Sequence, residues 1–213
     1  MIDEYLINNK TEVLVINNGN NQEYDNLFDQ ISKKEKCTVT KVNKNFGKGF
    51  GIKKGLEFVL NNYFNIGYVI FADDDGQHTP KDIKIFLKKI NNIDDNYFLI
   101  GKRQHTLKTP IKNFLGNKIY NKILKYKYNF KISDALCGLR AIHIKNAEIL
   151  LKIQNNEFEF EVETIREMHK YKKIHIKEIE VSSTYIANNK SNFSPFLDSF
   201  KLIKYIYNIK KQK

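Results

Sequence analysis

Tyr68-Val69-Ile70-Phe71-Ala72-Asp73-Asp74-Asp75-Gly76-Gln77-His78-Thr79-Pro80 is the stretch on which the reading of this chain turns. An apolar run of strand-forming residues ends abruptly in three carboxylates, a glycine, an amide and an imidazole. A short β-rich run bounded by turn residues reads as a buried strand of a parallel sheet. Beyond it, Thr79 can cap a helix, Pro80 suits the first helical position, and Asp82 stands where a capping box places its acid. The acidic cluster therefore falls at the carboxyl end of a strand, the edge at which open α/β sheets bind ligands. Three adjacent carboxylates repel one another unless a cation sits among them. Asp73 and Asp75 alternate out of the strand and Gln77 adds a third oxygen, a spacing that suits Mg²⁺ or Mn²⁺. A solvated acidic turn ahead of a helix is the alternative this stretch leaves open by itself.

Upstream, Glu12–Ile16 reads as a buried strand closed by Asn17-Asn18-Gly19-Asn20, a turn composition. Tyr24–Ser32 has helical spacing with Leu27, Phe28 and Ile31 on one face, and Cys37–Val42 reads as a second strand. A β-α-β order with short links implies a right-handed crossover and a parallel sheet. Asn45-Phe46-Gly47-Lys48-Gly49-Phe50-Gly51 then precedes a helix whose inward residues are Ile52, Leu56, Val59 and Leu60. Glycines ahead of a helix let backbone N–H groups approach a phosphate, and Lys48 adds charge; a simple loop explains the glycines about as well.

Downstream, Lys81–Ile90 forms an amphipathic helix and Tyr97–Gly101 a strand that ends in Lys102-Arg103-Gln104-His105. Arg103 stands at the carboxyl end of that strand, on the presumed ligand edge. Thr106–Thr109 reads as a loop, and Ile111–Tyr126 as a helix with Lys112, Lys118 and Lys122 among apolar residues. In Ser133–Ala141, Asp134 and Arg140 flank a turn at Gly138 and could both face one cleft; a structural pair holding the turn is the other reading. Glu157–Glu163 opens a helix through Lys170, where acids are stabilising in any case. Ile174–Val181 alternates as a strand. Phe196–Lys213 is a basic amphipathic helix, suited to an anionic membrane surface or to packing on the domain.

A chain of 213 residues, 41% hydrophobic and 13% aromatic, has the composition of one globular domain with a sizeable core rather than of a disordered chain. Cys37 and Cys137 have no metal-site spacing and read as free thiols of a reducing cytosol. No apolar run approaches the roughly 18 residues of a membrane span, and the start of the chain lacks a signal-peptide pattern. The net charge of +12 suits polyanionic partners but does not choose among nucleic acid, lipid surfaces and phosphorylated substrates.

Asp73-Asp74-Asp75-Gly76-Gln77-His78, with Pro80 and Asp82, resembles the Asp-x-Asp metal motif of family 2 glycosyltransferases, in the branch of dolichyl- and polyprenyl-phosphate sugar synthases. Asn45–Gly49 is similar to that family's Asn-x-Gly-Lys-Gly element. Asp134, Gly138, Leu139, Arg140 and Ala141 match its Asp-x-x-x-Gly-Phe/Leu-Arg-Ala run, and Phe158–Glu163 its Phe-Glu-Phe-Glu-Val-Glu run. Three features depart: Asn18 stands where an Asp contacts the base, Lys102 replaces the Ser of Gly-Ser-Arg, and the chain starts beyond the usual first strand.

The resemblance implies an α/β, Rossmann-like GT-A fold with a mostly parallel central sheet, shortened at the N-terminus, as a single domain over residues 1–213. It implies an inverting, metal-dependent transfer of sugar from a nucleotide-diphospho-sugar to a polyprenyl phosphate or related cell-envelope glycan. Asp73, Asp75 and Gln77 would hold Mg²⁺ or Mn²⁺; Asn17, Gly47, Lys48 and Asp73 would bind the donor. Arg103, Arg140 and Lys112 would serve the anionic acceptor, and Asp134 would be the base for a hydroxyl acceptor. The expected location is cytoplasmic, with peripheral contact to the inner face of the membrane. Two other classes stay open: a degenerate, non-catalytic domain of this family, and a nucleic-acid-binding or nucleotidyl-transfer protein. Against the latter, the basic residues are dispersed and no nucleic-acid partner is expected.

Overall fold

The computed structural model describes residues 10–104, 121–122, 124–126, 132–157, 159–171 and 173–182. The chain opens with strand β1 (Val13–Asn18), helix α1 (Asp25–Ser32) and strand β2 (Cys37–Val42). Helix α2 (Lys48–Asn62), strand β3 (Tyr68–Phe71), helix α3 (Pro80–Ile90) and strand β4 (Tyr97–Arg103) follow in alternation. After residues 104–131 come strand β5 (Arg140–His143), helices α4 (Ala147–Leu151) and α5 (Glu159–Lys170), and strand β6 (His175–Val181). Lys112 and the 196–213 helix expected from sequence lie outside the described residues, as do the 106–109 loop and most of the 111–126 helix.

β1 and β2 pair in parallel, Val13 opposite Cys37 through Asn18 opposite Val42. The other four strands form one sheet in the order β3-β5-β4-β6. β3, β4 and β6 run the same way, while β5 is inserted against both β3 and β4. The sheet is thus mostly parallel in strand direction, with one reversed strand that the sequence reading treated as part of a turn. Phe98, Leu99 and Ile100 of β4 are fully buried in succession, as expected of a strand covered on both faces. Leu56 of α2, Phe86 of α3, Ala141 and Ile142 of β5, and Phe160, Val162, Ile165 and Met168 of α5 complete this core. Each large side chain withdrawn from water there contributes about 1.5–3 kcal/mol. Leu27 of α1 and Leu60 of α2, placed inward by periodicity, are instead exposed at 50% and 42%.

The start of α3 fixes the edge at which the site lies. Thr79 Oγ1 accepts the Asp82 N–H at 3.3 Å, and Asp82 Oδ2 accepts the Thr79 N–H at 2.9 Å, closing the capping box that the sequence spells out. The same Asp82 carboxylate accepts the Ser182 N–H and hydroxyl, each at 2.8 Å, so the end of β6 is fastened to the start of α3. Burial alone would raise the Asp82 pKa, but the hydrogen bonds from Ser182 and Thr79 outweigh it and hold the carboxyl below its ordinary 3.8. A depressed folded pKa stabilises the fold above the unfolded value, so this contribution is complete above about pH 4 and lost as the pH falls. Asp82→Asn is expected to cost about 1–3 kcal/mol in urea unfolding at neutral pH, and distinctly less near pH 3.

Candidate functional site

Two charged clusters meet where the acidic turn leaves β3. The first is built on Lys48, the opening residue of α2. Its Nζ lies 2.8 Å from both oxygens of Asp73 and donates a second hydrogen bond to Glu161 Oε1 on α5. Burial by itself would lower the Lys48 pKa, but the charges of Glu161 and Asp73 outweigh it and raise it. Asp73 mirrors this: burial pushes it up, the Lys48 ammonium pulls it further down, and the carboxyl stays below its ordinary value. Gly138 forms the floor of the pair. A methyl group there would lie 2.0 Å from Asp73 Oδ2 and 2.8 Å from Lys48 Nζ, so only glycine lets the loop before β5 approach them.

Arg140 is 4% exposed, and its guanidinium is spent on carbonyls: Nε on Cys137 at 3.0 Å, Nη1 on Glu161 at 2.8 Å and Nη2 on Ala135 at 2.9 Å. Its Nη2 also stands 3.8 Å from Glu161 Oε2. The sequence reading gave Arg140 to an acceptor; the geometry shows it tying the Ala135–Cys137 loop to α5.

The second cluster centres on Arg103 at the end of β4. Its Nε donates to Asp134 Oδ2 and its Nη2 to Asp134 Oδ1, both at 2.8 Å, in a two-bond fork. The Arg103 N–H adds a third bond to Oδ2 at 3.1 Å, and Asp134 is 1% exposed. Arg103 Nη1 reaches Gln77 Oε1 at 3.4 Å, linking this pair to the acidic turn. Glu178 of β6 holds the loop from below, accepting the Ser133 and Asp134 N–H groups at 2.7 and 2.9 Å. The expected base, Asp134, therefore has both oxygens engaged by a guanidinium.

Within the acidic turn, Gly76 takes φ 74° and the Gln77 N–H donates to Asp75 Oδ1 at 3.0 Å. Asp75 and Gln77 are thus joined within one short loop, the Gln77 amide oxygen turned to Arg103. His78 is 3% exposed; burial holds its imidazole below its ordinary 6.5, against the opposing pull of Asp73 and Asp75. The glycine segment differs from its reading in sequence. The Gly49 and Phe50 N–H groups donate to the Asn156 carbonyl at 2.7 and 3.3 Å, so two amides offered to a phosphate are already satisfied. Gly47, at φ 98°, leaves room for that carbonyl, which a Cβ would meet at 2.4 Å. Its own N–H donates to Asn45 Oδ1 at 2.8 Å, while Asn18 Nδ2 donates to its carbonyl at 2.9 Å. Asn17 is buried, with Oδ1 accepting the Asn20 N–H at 3.0 Å, and shapes the turn after β1.

Lys48, Asp73, Gly138, Glu161 and Arg140 thus converge at one point, and Arg103, Gln77 and Asp134 at another beside it. Glu161 and Asn156 were not among the site residues read from sequence. The signal for Glu161 was the resemblance of Phe158–Glu163 to the family's Phe-Glu-Phe-Glu-Val-Glu run, which left Glu161 and Glu163 undistinguished; Asn156 gave none, since it acts through its backbone.

This arrangement of strands and helices occurs in glucosyl-3-phosphoglycerate synthase from Mycobacterium tuberculosis, solved with Mn²⁺, uridine-diphosphate-glucose and phosphoglyceric acid. The two superpose with a TM-score of 0.56 at 13% identity, over 97% of this chain and 82% of the other, which shows the GT-A fold. Residues 4–150 match the model of glycosyl transferase family 2, and the chain belongs to that family. Two proteins of Methanocaldococcus jannaschii are similar in sequence. MJ0544 is 33% identical over 141 residues, covering 62% of this chain, and the match spans only 60% of that protein's length. MJ1222 is 27% identical over 213 residues, 95% of this chain and 84% of its own length.

Gly138→Ala tests the close approach. The added methyl forces the paired ends of Asp73 and Lys48 apart, so unfolding free energy should fall by about 1–3 kcal/mol. Carboxyl-carbon NMR should find Asp73 titrating below 3.8 in the wild type and shifted upward in the variant, as Lys48 is pushed away.

Proposed function

We propose that the protein transfers a sugar from a nucleotide-diphospho-sugar to a phosphate-bearing acceptor, polyprenyl phosphate in the first instance, with inversion and with a divalent cation. The observation that carries the acceptor class is the Arg103–Asp134 fork. A sugar hydroxyl needs a base to take its proton, and Asp134 has both oxygens on Arg103 in a buried position. A phosphate monoester has a second pKa of about 6 and is already a nucleophile at neutral pH. It needs cations to bring it beside an anionic donor, and Arg103, held flat by Asp134, is oriented for that task. The Mycobacterium tuberculosis synthase was solved with phosphoglyceric acid, a molecule that also bears a phosphate monoester, although it carries a hydroxyl as well.

The residues of the acidic turn fit a hard cation. Asp75 and Gln77 would offer a carboxylate and an amide oxygen from one loop and Asp73 a second carboxylate, the amide oxygen and Asp73 exchanging their present contacts with Arg103 and Lys48 for the ion. One or two carboxylates completed by substrate phosphates are a usual donor set for Mg²⁺. Such an ion, when bound, neutralises charge developing on the leaving nucleoside diphosphate. Lys48 contributes a fixed positive charge on the donor side, and Asn17 and Gly47 shape the turn and loop flanking it. Arg140 acts here as a brace for the Ala135–Cys137 loop. Lys112 stays a candidate for the acceptor on sequence grounds. No helix among the described residues is long and apolar enough to cross a membrane. A bilayer-borne acceptor would instead be reached peripherally, by the basic 196–213 segment.

Thermal unfolding with UDP and GDP, each with and without Mn²⁺, tests the donor side. One nucleotide at about 100 times its dissociation constant with metal should add roughly 2.7 kcal/mol, and distinctly less when the metal is left out. Asp75→Asn should remove the metal-dependent part while leaving the melt without ligand cooperative. On the acceptor side, transfer should occur to a short polyprenyl phosphate and not to its parent alcohol. Equal transfer to both would overturn the anionic-acceptor reading.

A further inference from the structure

Glu161 lies in the first turn of α5, and its position there follows from packing. Phe160 rests on Gly49, where a Cβ would come within 2.6 Å of the ring, so the starts of α2 and α5 are pressed together. That contact delivers the next side chain, Glu161, to Lys48. Arg140 grips the same residue from behind, through its carbonyl at 2.8 Å and its carboxylate at 3.8 Å. The cluster therefore contains two cations, Lys48 and Arg140, and two carboxylates, Asp73 and Glu161, and is electrically balanced. Its members are unequally placed: the Glu161 side chain is 6% exposed, Lys48 22% and Asp73 31%. Glu161 is the inner anchor of the ammonium and Asp73, the first residue of the acidic turn, the outer one.

We propose that Glu161 is a positioning residue for the donor site: by sharing the Lys48 ammonium, which lies on both oxygens of Asp73, it leaves part of the Asp73 charge for a second cation beside it. The proposal rests on the donor-site reading given above. With Glu161 present, the charge of Lys48 is divided between two carboxylates. With an amide there, Lys48 falls wholly to Asp73 and the cluster carries one additional positive charge. A metal-free nucleoside diphosphate is an anion and gains from that change; a dication bound beside Asp73 loses by it. The two effects have opposite signs, whereas a residue that merely held α5 in place would move both the same way.

The test is the factor by which Mn²⁺ tightens UDP or GDP binding, measured by isothermal titration calorimetry in wild type, Glu161→Asp and Glu161→Gln. Couplings between two ligands commonly lie between about 5- and 150-fold. In Glu161→Gln the factor should fall about tenfold while metal-free nucleotide binds about threefold more tightly. Glu161→Asp, which keeps the charge but withdraws it by one methylene, should fall between. It decides the matter against wild type if Glu161→Gln does not fold. One common coupling factor in all folded variants overturns the role of Glu161, as does a parallel loss of metal-free and metal-assisted binding. Wild type that binds neither nucleotide, with or without Mn²⁺, overturns the donor-site reading and this inference together.

Discussion

An ammonium group shared by two carboxylates, Lys48 between Asp73 and Glu161, is the constraint around which the described part of this molecule closes. Charges withdrawn from water are tolerated only when they are paired and hydrogen-bonded. Each member of the trio begins or follows a different element: Lys48 opens α2, Asp73 follows β3, and Glu161 lies in the first turn of α5. Satisfying one cation therefore sets where two helices start relative to a strand end. The neighbours obey the same requirement. Gly138 is glycine because the pair occupies the space of a side chain, and Gly49 because Phe160 does. Arg140 closes the group by tying the loop before β5 to the backbone of α5.

Much of the fold was legible because its signals are local. Cys37–Val42 has the bounds of β2, and the Thr79-Pro80-x-Asp82 pattern gave the start of α3 with its capping box intact. What escaped was directional or distant. β5 is four residues long, begins with an arginine, and sits between β3 and β4 against both; alternation cannot report which way a strand runs. Leu27 and Leu60 fit an apolar stripe on period alone, yet the stripe is wider than the surface that covers it.

The site divided along the same line. Lys48, Asp73, Asp75, Gln77, Arg103 and Asp134 could be named from residue type and spacing, because each falls next to a strand end or a glycine turn. Their partners could not. Glu161 lies far along the chain from Lys48, and apart from the resemblance that marked it together with Glu163, nothing local distinguishes it from the acids that any helix start favours. Residue type made Asp134 a base and Arg140 a ligand-binding cation, but it could not give their partners: Arg103 on both oxygens of the one, three carbonyls on the other. The glycines ahead of α2 imply close backbone approach, but they do not say whose backbone; here it is Asn156.

The bond from Ser182 to Asp82 also joins the fates of two elements. Ser182 follows β6 and Asp82 lies in the first turn of α3, a hundred residues apart in the chain, and one carboxylate receives both the cap of the helix and the end of the strand. Neither element can come loose at that point without unfastening the other. Because the acid carries these hydrogen bonds in full only while ionised, taking up one proton slackens a helix start and a strand end together. The cap therefore works as a single catch on two elements, set a few residues past the acidic turn.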